Sequence, residues 1–377
     1  MTMKGRSVRR TAAVVAVASV TMVGCARFDD SASSPFSPEP SADPAQIEPV
    51  EPNAPRSSTP PPSVPPGPCV DPDANVVATC LDPLSGLVVL PDGVSALVAE
   101  RKTGRILQVA SGASPVEVAK VTVDGSGDGG LLDVALSPTY AEDRLIYAYI
   151  TTSSDNRVVR IAPGDVPKPV LTGIPRGGSS NAGAIDFIGS RLLVLTGDAG
   201  SPSAATNPAS LAGKVLRVDD IGTDTGSKAP PQVLMSGIGR AGDICLDSNG
   251  STYVTDATAT EDRLQRITPE GTTVPSPVWT WPDRPGVAGC ATGQGSVAVA
   301  LTGQRAVAVL AVDPQTNVVT TAPSLVAQDQ YGRLSGAAVG PDGLIWVSTV
   351  NKDGGTPTAT DDRVVKIPLP AGGGSTV

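Results

Sequence analysis

The sequence predicts an all-β protein built as a six-bladed β-propeller. The first observation is a pattern that recurs six times between residues 86 and 367: a small residue, an apolar strand, a tight turn and further apolar strands. The second is its period, because consecutive units are spaced by 49, 47, 60, 45 and 48 residues. Repeats of about 40 to 50 residues with several short strands are typical of propeller blades. These spacings separate the predicted starts of the second strands, which lie near Ala96, Leu145, Leu192, Thr252, Val297 and Ile345.

Strands and turns within each unit follow from local chemistry. Runs such as LIYAYIT (145–151) and LIWVST (344–349) alternate in the way that favours strands over helices. Pro-Asp-Gly at 91–93 and at 341–343 supplies a fixed φ followed by a residue that tolerates positive φ, as tight turns require. A β-sandwich also has short, evenly spaced strands and is the alternative, but six copies of one unit favour the propeller.

The first 24 residues are predicted to be a lipoprotein signal peptide. Four basic residues precede a short apolar run from Thr11 to Val23, which is too short to span a bilayer as a mature helix. Met22-Val23-Gly24-Cys25 resembles a bacterial lipobox, which implies a diacylglyceryl thioether on Cys25 and a palmitate-type acyl anchor. Two acyl chains suffice for stable anchoring. We therefore expect an exported protein held on the outer face of the cytoplasmic membrane.

The composition divides the remaining chain into three parts. Residues 25–68 are rich in Pro and Ser and poor in large apolar residues, which predicts a disordered tether. Residues 69–370 form the propeller, and residues 371–377 form a flexible tail. Four of the 28 basic residues and none of the 37 acidic ones precede Cys25, so the chain from Cys25 carries a formal charge of −13. This acidity argues against nucleic-acid binding, and we expect a monomer.

Four cysteines follow the lipobox, and an even number in an exported chain predicts disulfides. Cys69 and Cys80 flank a short loop where the tether meets the propeller, so we pair them. Cys245 then pairs with Cys290. Alignment of their blades on the turn glycines puts these two at equivalent strand positions, so their pairing requires a local twist.

Several blades together resemble the soluble quinoprotein glucose/sorbosone dehydrogenases, six-bladed propellers that use pyrroloquinoline quinone (PQQ). The similar segments span roughly residues 84–369, and the nearest likeness is to LppZ-type bacterial lipoproteins, which join this propeller to a lipobox and a Pro-rich tether. The segments that carry the resemblance are VLPDGVSALVAERKTGRILQV (89–109), GDGGLLDVALSPTYAEDRLIYAYIT (127–151), NAGAIDFIGSRLLVLTGDAG (181–200), NPASLAGKVLRVD (207–219) and YGRLSGAAVGPDGLIWVST (331–349).

The resemblance implies where a PQQ site would lie, and the residues there differ from the family. The chain contains no histidine, and the family's catalytic His is replaced by Ser180, which precedes Asn181. The family's Arg-Asn pair falls at Gly239-Arg240, and its Arg-x-Arg keeps only Arg333. Asp128 replaces a family Glu. We therefore predict Asp128, Asn181, Arg240 and Arg333 as remnants of a cofactor site that converge at one mouth of the central channel.

The missing histidine also excludes Ser-His-Asp triads and His-ligated zinc. Asp124 and Asp128, in the glycine-rich stretch 124–130, are weak candidates for Ca²⁺ ligands. A water-satisfied turn is the competing interpretation.

These observations favour a pseudoenzyme: a membrane-anchored propeller without PQQ that binds a small molecule, a glycan or a protein at its channel. The hypothesis depends on the lipobox and tether and on two losses at the site. A Ser hydroxyl has no useful basicity near neutral pH, and the loss of cations from this mouth weakens charge-assisted binding of PQQ, which is a tricarboxylate. The first alternative is a diverged sugar or alcohol dehydrogenase with PQQ and Ca²⁺, or another cofactor, in which a carboxylate such as Asp128 or Asp186 replaces the base. The second is a carbohydrate-binding propeller.

Overall fold

The computed structural model describes residues 69–223, 229–313, 316 and 318–368, and it confirms the six-bladed propeller. These residues form six antiparallel sheets of four strands each. The predicted signal peptide, Cys25, the tether 25–68 and the tail 371–377 lie outside the described residues. Neither helix in the described part of the chain is long and apolar enough to cross a membrane.

The first strand of the chain, β1 (Val76–Ala78), belongs to the last blade, and the next twelve strands form blades 1 to 3. Blade 1 consists of β2 (Leu84–Val89), β3 (Ser95–Glu100), β4 (Arg105–Ala110) and β5 (Val116–Lys120). Blade 2 consists of β6 (Leu131–Leu136), β7 (Ile146–Thr151), β8 (Asn156–Ile161) and β9 (Lys168–Ile174). Blade 3 consists of β10 (Gly183–Ile188), β11 (Arg191–Thr196), β12 (Lys214–Val218) and β13 (Gln232–Ser236).

Blades 4 to 6 repeat the same order, and two short helices lie in blades 2 and 3. Blade 4 consists of β14 (Arg240–Leu246), β15 (Thr252–Ala257), β16 (Asp262–Ile267) and β17 (Trp279–Trp281). Blade 5 consists of β18 (Val287–Gly293), β19 (Ser296–Leu301), β20 (Ala306–Ala311) and β21 (Ser324–Val326). Blade 6 contains β22 (Leu334–Val339), β23 (Leu344–Thr349) and β24 (Val364–Pro368). The helices are α1 (Tyr140–Asp143) and α2 (Pro202–Thr206).

The predicted repeat matches the strands closely. The second strand of blade 4 begins at the predicted Thr252, and the other five second strands begin one residue from their predicted starts. The turn glycines Gly93 and Gly343 have φ values of 70° and 76°, as the Pro-Asp-Gly turns require.

The ring is closed by the amino-terminal strand. Strand β1 pairs antiparallel with β24, with Val76 opposite Val365, and thereby becomes the fourth strand of blade 6. The first strands of consecutive blades contact one another in the order β2, β6, β10, β14, β18, β22 and back to β2. They therefore form a continuous wall around a central channel.

The core consists of six apolar clusters, one between each pair of neighbouring blades. Val, Leu, Ile and Ala supply most of it, and Trp346 is its largest fully buried side chain. Because each cluster joins two sheets face to face, apolar burial fixes each blade against its neighbours and holds the channel wall in place.

Both predicted disulfides are present. Cys69 bonds to Cys80 and Cys245 bonds to Cys290, with Cα–Cα distances of 5.4 and 5.7 Å. The expectation that Cys245 and Cys290 occupy equivalent positions is wrong. Cys290 pairs with Val299 immediately after a bulge in β18, whereas Cys245 lies one residue beyond the corresponding bulge in β14. This offset turns the two sulfur atoms towards each other across the blade boundary.

Candidate functional site

A cavity of about 1160 Å³ occupies the central channel. It is lined by residues of all six first strands, including Val88, Leu136 and Val339 at or near the ends of β2, β6 and β22. The cavity therefore follows the length of the channel, and its chemistry changes along that length.

Two kinds of loop build one mouth of this cavity. Successive strands of a blade run in opposite directions, so the loops that lead into first strands lie at the same end as the loops that follow second strands. The first kind supplies Asp128, Ser180, Asp283, Arg284 and Arg333, with Arg240 at the start of β14. The second kind supplies Arg101, Asp198 and Asp353. Ser180 and Arg333 thus lie at the same mouth.

Ser180 is held in an unusual conformation. Its φ of 56° lies in the left-handed region, which few residues other than glycine adopt. Its backbone N–H donates to Asp128 Oδ2 at 2.5 Å, and the neighbouring Asn181 Nδ2 donates to Asp128 Oδ1 at 2.8 Å. One carboxylate therefore fixes the loop that carries Ser180, and it does so from the neighbouring blade.

Asn181 supports this loop from behind the cavity wall. It is 2% exposed, and its Oδ1 accepts hydrogen bonds from Gly177 N at 2.9 Å and Asn156 Nδ2 at 3.2 Å. Of the four predicted remnants, Asp128, Arg240 and Arg333 line the cavity, whereas Asn181 does not.

Four guanidinium groups line the mouth, two more than the sequence predicted. Arg101 donates to Gly127 O, Gly129 O and Asp353 Oδ2, so its hydrogen bonds are used within the protein. Arg240, Arg284 and Arg333 make no ion pair with any described residue. The Nε of Arg333 is buried and has no hydrogen-bond partner among those residues. The expectation that this mouth has largely lost its cations is therefore too strong.

Arg101 lies within the similar segment 89–109 but was given no role there, and Arg284 lies outside the segments that carry the resemblance. Arg101 follows a second strand, and Arg284 lies between Pro282 and Pro285 just before β18. A basic residue at the end of a predicted second strand, or just before a first strand, is the signal that could have identified them.

Asp124 and Asp128, the weak Ca²⁺ candidates, are bound to different partners. Asp124 Oδ2 lies 2.9 Å from the Arg176 guanidinium, and its Oδ1 accepts from Ser126 N. Asp128 is turned towards Ser180 and Asn181. Within the described ranges, no group of three or more His, Cys, Asp or Glu side chains is arranged to hold a metal ion.

The channel below the mouth contains three carboxylates, of which the sequence analysis named only Asp186. Asp133, Asp186 and Asp243 come from β6, β10 and β14 and line the cavity. Burial raises the pKa of Asp186 to about 7 and that of Asp243 to about 7. The sequence signal is an Asp inside three apolar first strands, LLDVAL, GAIDFI and AGDICL.

Comparison with known proteins identifies the fold family. The model of the glucose/sorbosone dehydrogenase family matches residues 81–231. The PQQ-bound aldose sugar dehydrogenase of Streptomyces coelicolor is 30% identical with a TM-score of 0.69, and the match covers 78% of this chain and 96% of that one. This chain belongs to the glucose/sorbosone dehydrogenase family.

Two further relatives agree with this assignment. A glucose dehydrogenase-type oxidoreductase of Thermus thermophilus is 28% identical with a TM-score of 0.68, over 77% of this chain and 98% of that one. An uncharacterized protein of Synechocystis sp. PCC 6803 is 34% identical over 171 residues. That match spans 37% of this chain and 40% of the relative.

The mouth of this family member fits a flat polycarboxylate such as PQQ. Arg240, Arg284 and Arg333 are free to bind carboxylates, and the orphaned Nε of Arg333 indicates a donor without its acceptor. PQQ, when bound, supplies a hydride acceptor. The chain lacks the family's usual group for proton removal, because Ser180 lies at the position where the resemblance puts the family's base.

Proposed function

We propose that this protein is a lipid-anchored, extracytoplasmic propeller that binds a small polyanionic ligand at the channel mouth and does not act as an efficient sugar dehydrogenase. The observation that carries the proposal is a contrast within one mouth. Three guanidinium groups that form no ion pair with any described residue share this mouth with a serine at the position of the family's base. The mouth retains groups that bind an anion and lacks the usual group that removes a proton.

Anion binding follows from the geometry of the arginines. A guanidinium group that has no carboxylate partner keeps donors available, and a ligand carboxylate or phosphate can form charge-assisted hydrogen bonds with them. Arg240, Arg284 and Arg333 belong to three different blades, so a ligand that contacts all three must carry several acceptor groups. A flat tricarboxylate meets this requirement.

The binding experiment uses trimesate, a flat aromatic tricarboxylate, and the full-length protein purified in detergent. We expect binding by calorimetry and about tenfold weaker binding for Arg240→Gln, because one charge-assisted contact is lost. Arg191→Gln is the matched control, since Arg191 is also the exposed first residue of a strand but lies at the opposite end of its blade. Equal affinities for both variants, or no binding by the parent protein, would contradict the proposal.

The catalytic part is tested by adding PQQ and Ca²⁺ and measuring dye-linked oxidation of aldoses. We expect PQQ to be retained without turnover by the parent protein, and turnover to rise in Ser180→His. Histidine suits this position because it is one of the residues that tolerate the left-handed region. Substantial turnover by the unmodified protein would overturn the non-catalytic proposal.

A diverged dehydrogenase is the second candidate, favoured by Asp186 and Asp243. A carboxyl group whose pKa lies near 7 is a suitable general base, and both line the cavity. Loss of aldose oxidation in Asp186→Asn or Asp243→Asn, with PQQ still bound, would support it.

The proposed anchor is tested separately through Cys25. We expect the protein to fractionate with membranes and to incorporate labelled palmitate, whereas Cys25→Ser should be recovered without label. Labelling of the Cys25→Ser variant, or no labelling of the parent protein, would contradict the lipobox assignment.

A further inference from the structure

Three carboxylates lie roughly halfway along the channel, below the arginines of the mouth. Asp133 is the third residue of β6, and Asp186 and Asp243 are the fourth residues of β10 and β14. Since a strand rises about 3.3 Å per residue, Asp133 lies about 7 Å, and Asp186 and Asp243 about 10 Å, from the start of their strands. We call these three side chains the mid-channel carboxylates.

The hydrogen bonds recorded for the mid-channel carboxylates come from backbone N–H groups. Asp133 Oδ2 accepts from Ile185 N at 2.8 Å, and Asp243 Oδ2 accepts from Cys290 N at 2.9 Å. Both bonds connect a first strand to the first strand of the next blade. Asp186 Oδ1 accepts from Phe187 N at 2.7 Å. Within the described part of the chain, no Lys or Arg forms an ion pair with any of the three.

The opposite wall of the channel contributes no titratable group at this depth. It is formed by β2, β18 and β22, which present Gly86, Gly289 and Gly336. A Cβ atom added to Gly86 would lie 2.3 Å from Asp133 Oδ1, so Asp133 occupies the space that the glycine leaves. The Cys245–Cys290 disulfide also lines this part of the cavity and does not titrate.

The remaining charged groups of the cavity lie at its mouth, and its far end is apolar. The mouth groups are Asp128, Asp198, Asp262, Asp283, Asp353, Arg101, Arg240, Arg284 and Arg333. The far end is lined by Val88, Leu136, Leu246 and Val339. The mid-channel carboxylates therefore have an apolar channel wall on one side and the anion-binding mouth on the other.

Burial and mutual repulsion hold protons on these groups near neutral pH. Burial raises the pKa of Asp186 to about 7 and that of Asp243 to about 7. Burial first, and then the charge of Asp243, raise the pKa of Asp133 well above its usual value. The charge of the channel thus changes most in the range around pH 7.

We propose that the mid-channel carboxylates regulate the mouth, taking up a proton when an anion binds there and so making anion affinity rise as the pH falls. The inference rests on the proposed function, because it concerns the ligand of the same site. An anion at the mouth is repelled by ionised carboxylates about 10 Å below it and not by neutral ones. By linkage, the bound anion favours protonation of the channel to the same extent that protonation favours the anion.

The test is calorimetry with trimesate at about pH 6 and about pH 8. Each measurement is repeated in two buffers that differ in ionisation enthalpy, which reports protons taken up on binding. Trimesate is fully ionised throughout this range, so any proton uptake belongs to the protein. We expect about fivefold tighter binding at the lower pH, with net proton uptake. The double variant Asp186→Asn, Asp243→Asn retains only Asp133 and should lose most of both effects, whereas Asp219→Asn, an exposed control, should keep them in full.

The outcomes separate this proposal from the proposed function. If the parent protein binds trimesate with the same affinity at both pH values, the proposed regulation is contradicted and the proposed anion site is still supported. Absence of binding at either pH overturns both. Carbon-13 NMR of the carboxyl groups in the ligand-free protein needs no variant. It overturns the regulator if all three mid-channel carboxylates titrate below about pH 5.

Discussion

Aspartates lie both at the seam of blade 6, where β1 pairs with β24 and Asp361 is buried, and in the channel, where Asp186 and Asp243 are half-buried. One difference between the two regions decides their chemistry. At the seam, Asp361 Oδ1 accepts from Arg363 Nε and from Asn351 Nδ2, both at 2.9 Å. In the channel, the bonds recorded for Asp186 and Asp243 come from backbone N–H groups. Asp361 at the seam has a guanidinium partner. Asp186 and Asp243 in the channel have no such partner among the described residues.

The pKa of Asp361 and the pKa values of Asp186 and Asp243 are shifted in opposite directions. Burial on its own would raise the pKa of Asp361, but the N–H of Thr358, Asn351 and Arg363 outweigh it and lower that pKa. In the channel, burial prevails and raises the pKa of Asp186 and of Asp243. Burial opposes ionisation in both regions, and the partner decides whether the charge is kept. The seam charges stabilise the closed ring, whereas the channel charges reduce its stability near neutral pH.

The largest effect is expected when the seam loses its cation. Arg363 binds Asp361 at 2.9 Å and Asp71 at 3.2 Å, and its Nη2 donates to Tyr331 O. Arg363→Ala leaves both carboxylates buried without a cation, and we expect the free energy of unfolding to fall by about 3 to 5 kcal/mol. Urea unfolding followed by circular dichroism measures it.

The control for the seam is an exposed ion pair. Arg191 and Asp219 are 57% and 58% exposed and lie 3.5 Å apart. Arg191→Ala should leave the urea midpoint unchanged, because water already screens this pair. If Arg363→Ala and Arg191→Ala lower the free energy of unfolding equally, the buried ion pairs of Arg363 contribute no more to stability than an exposed pair.

An intermediate change in the free energy of unfolding is expected when a channel carboxylate is replaced, and its size depends on pH. The pKa of Asp243 is about 7 in the folded protein against an ordinary value of 3.8, so the folded state binds the proton more tightly. Stability must therefore fall as the pH rises from about 4 to about 7 and then level off. Asp243→Asn removes this fall, and we expect it to be more stable than the parent by about 2 kcal/mol at about pH 8 and by less at about pH 5. Urea unfolding at the two pH values measures the difference.

Asp361→Asn is the matched comparison for this prediction. The lowered pKa of Asp361 contributes stability that is present above the unfolded pKa and is lost only as the pH falls below about 4. The variant should therefore lose the same stability at about pH 5 and about pH 8. A similar pH-independent loss in Asp243→Asn would show that the channel and the seam do not differ.

The smallest change in the free energy of unfolding is expected at a buried hydroxyl group that has neither a charged nor a backbone hydrogen-bond partner among the described residues. Tyr149 is fully buried, and its hydroxyl has no hydrogen-bond partner among the described residues. Tyr149→Phe removes an unsatisfied polar group, so we expect the free energy of unfolding to rise by about 1 kcal/mol. Tyr331→Phe should lower it by about the same amount, since the Tyr331 hydroxyl donates to Asp73 at 2.7 Å. Destabilisation by both variants would indicate an ordered water bound to Tyr149.

Local sequence chemistry predicted the blades, because strand alternation and turn residues repeat at short range. The start of β15 at Thr252 follows from such a pattern. The pairing of Cys69 with Cys80 was also within reach, since only ten residues separate them. By contrast, β1 is only three residues long, and its partner β24 begins at Val364, so no local signal identifies it as a blade strand.

The site was predicted in part for the same reason. Ser180, Arg240 and Arg333 were located because their motifs resemble the family, and the structure puts them at one mouth. Arg101 and Arg284 reach that mouth only because the closed ring brings separate loops together. The mid-channel carboxylates required knowledge of which strand of each blade faces the channel, since an Asp in an outer strand would be an ordinary surface residue.

The pairing of β1 with β24 has a consequence for how the chain acquires its structure. Val76 can pair with Val365 only after residue 365 has been synthesised. The last sheet is therefore completed, and the ring closed, only when nearly the whole domain is present. A chain that stops short of Val364 lacks β24, which leaves β1 unpaired and the edge of β23 exposed to proteases and to other chains. The pairing of β1 with β24 therefore allows only a polypeptide that extends through β24 to complete the propeller.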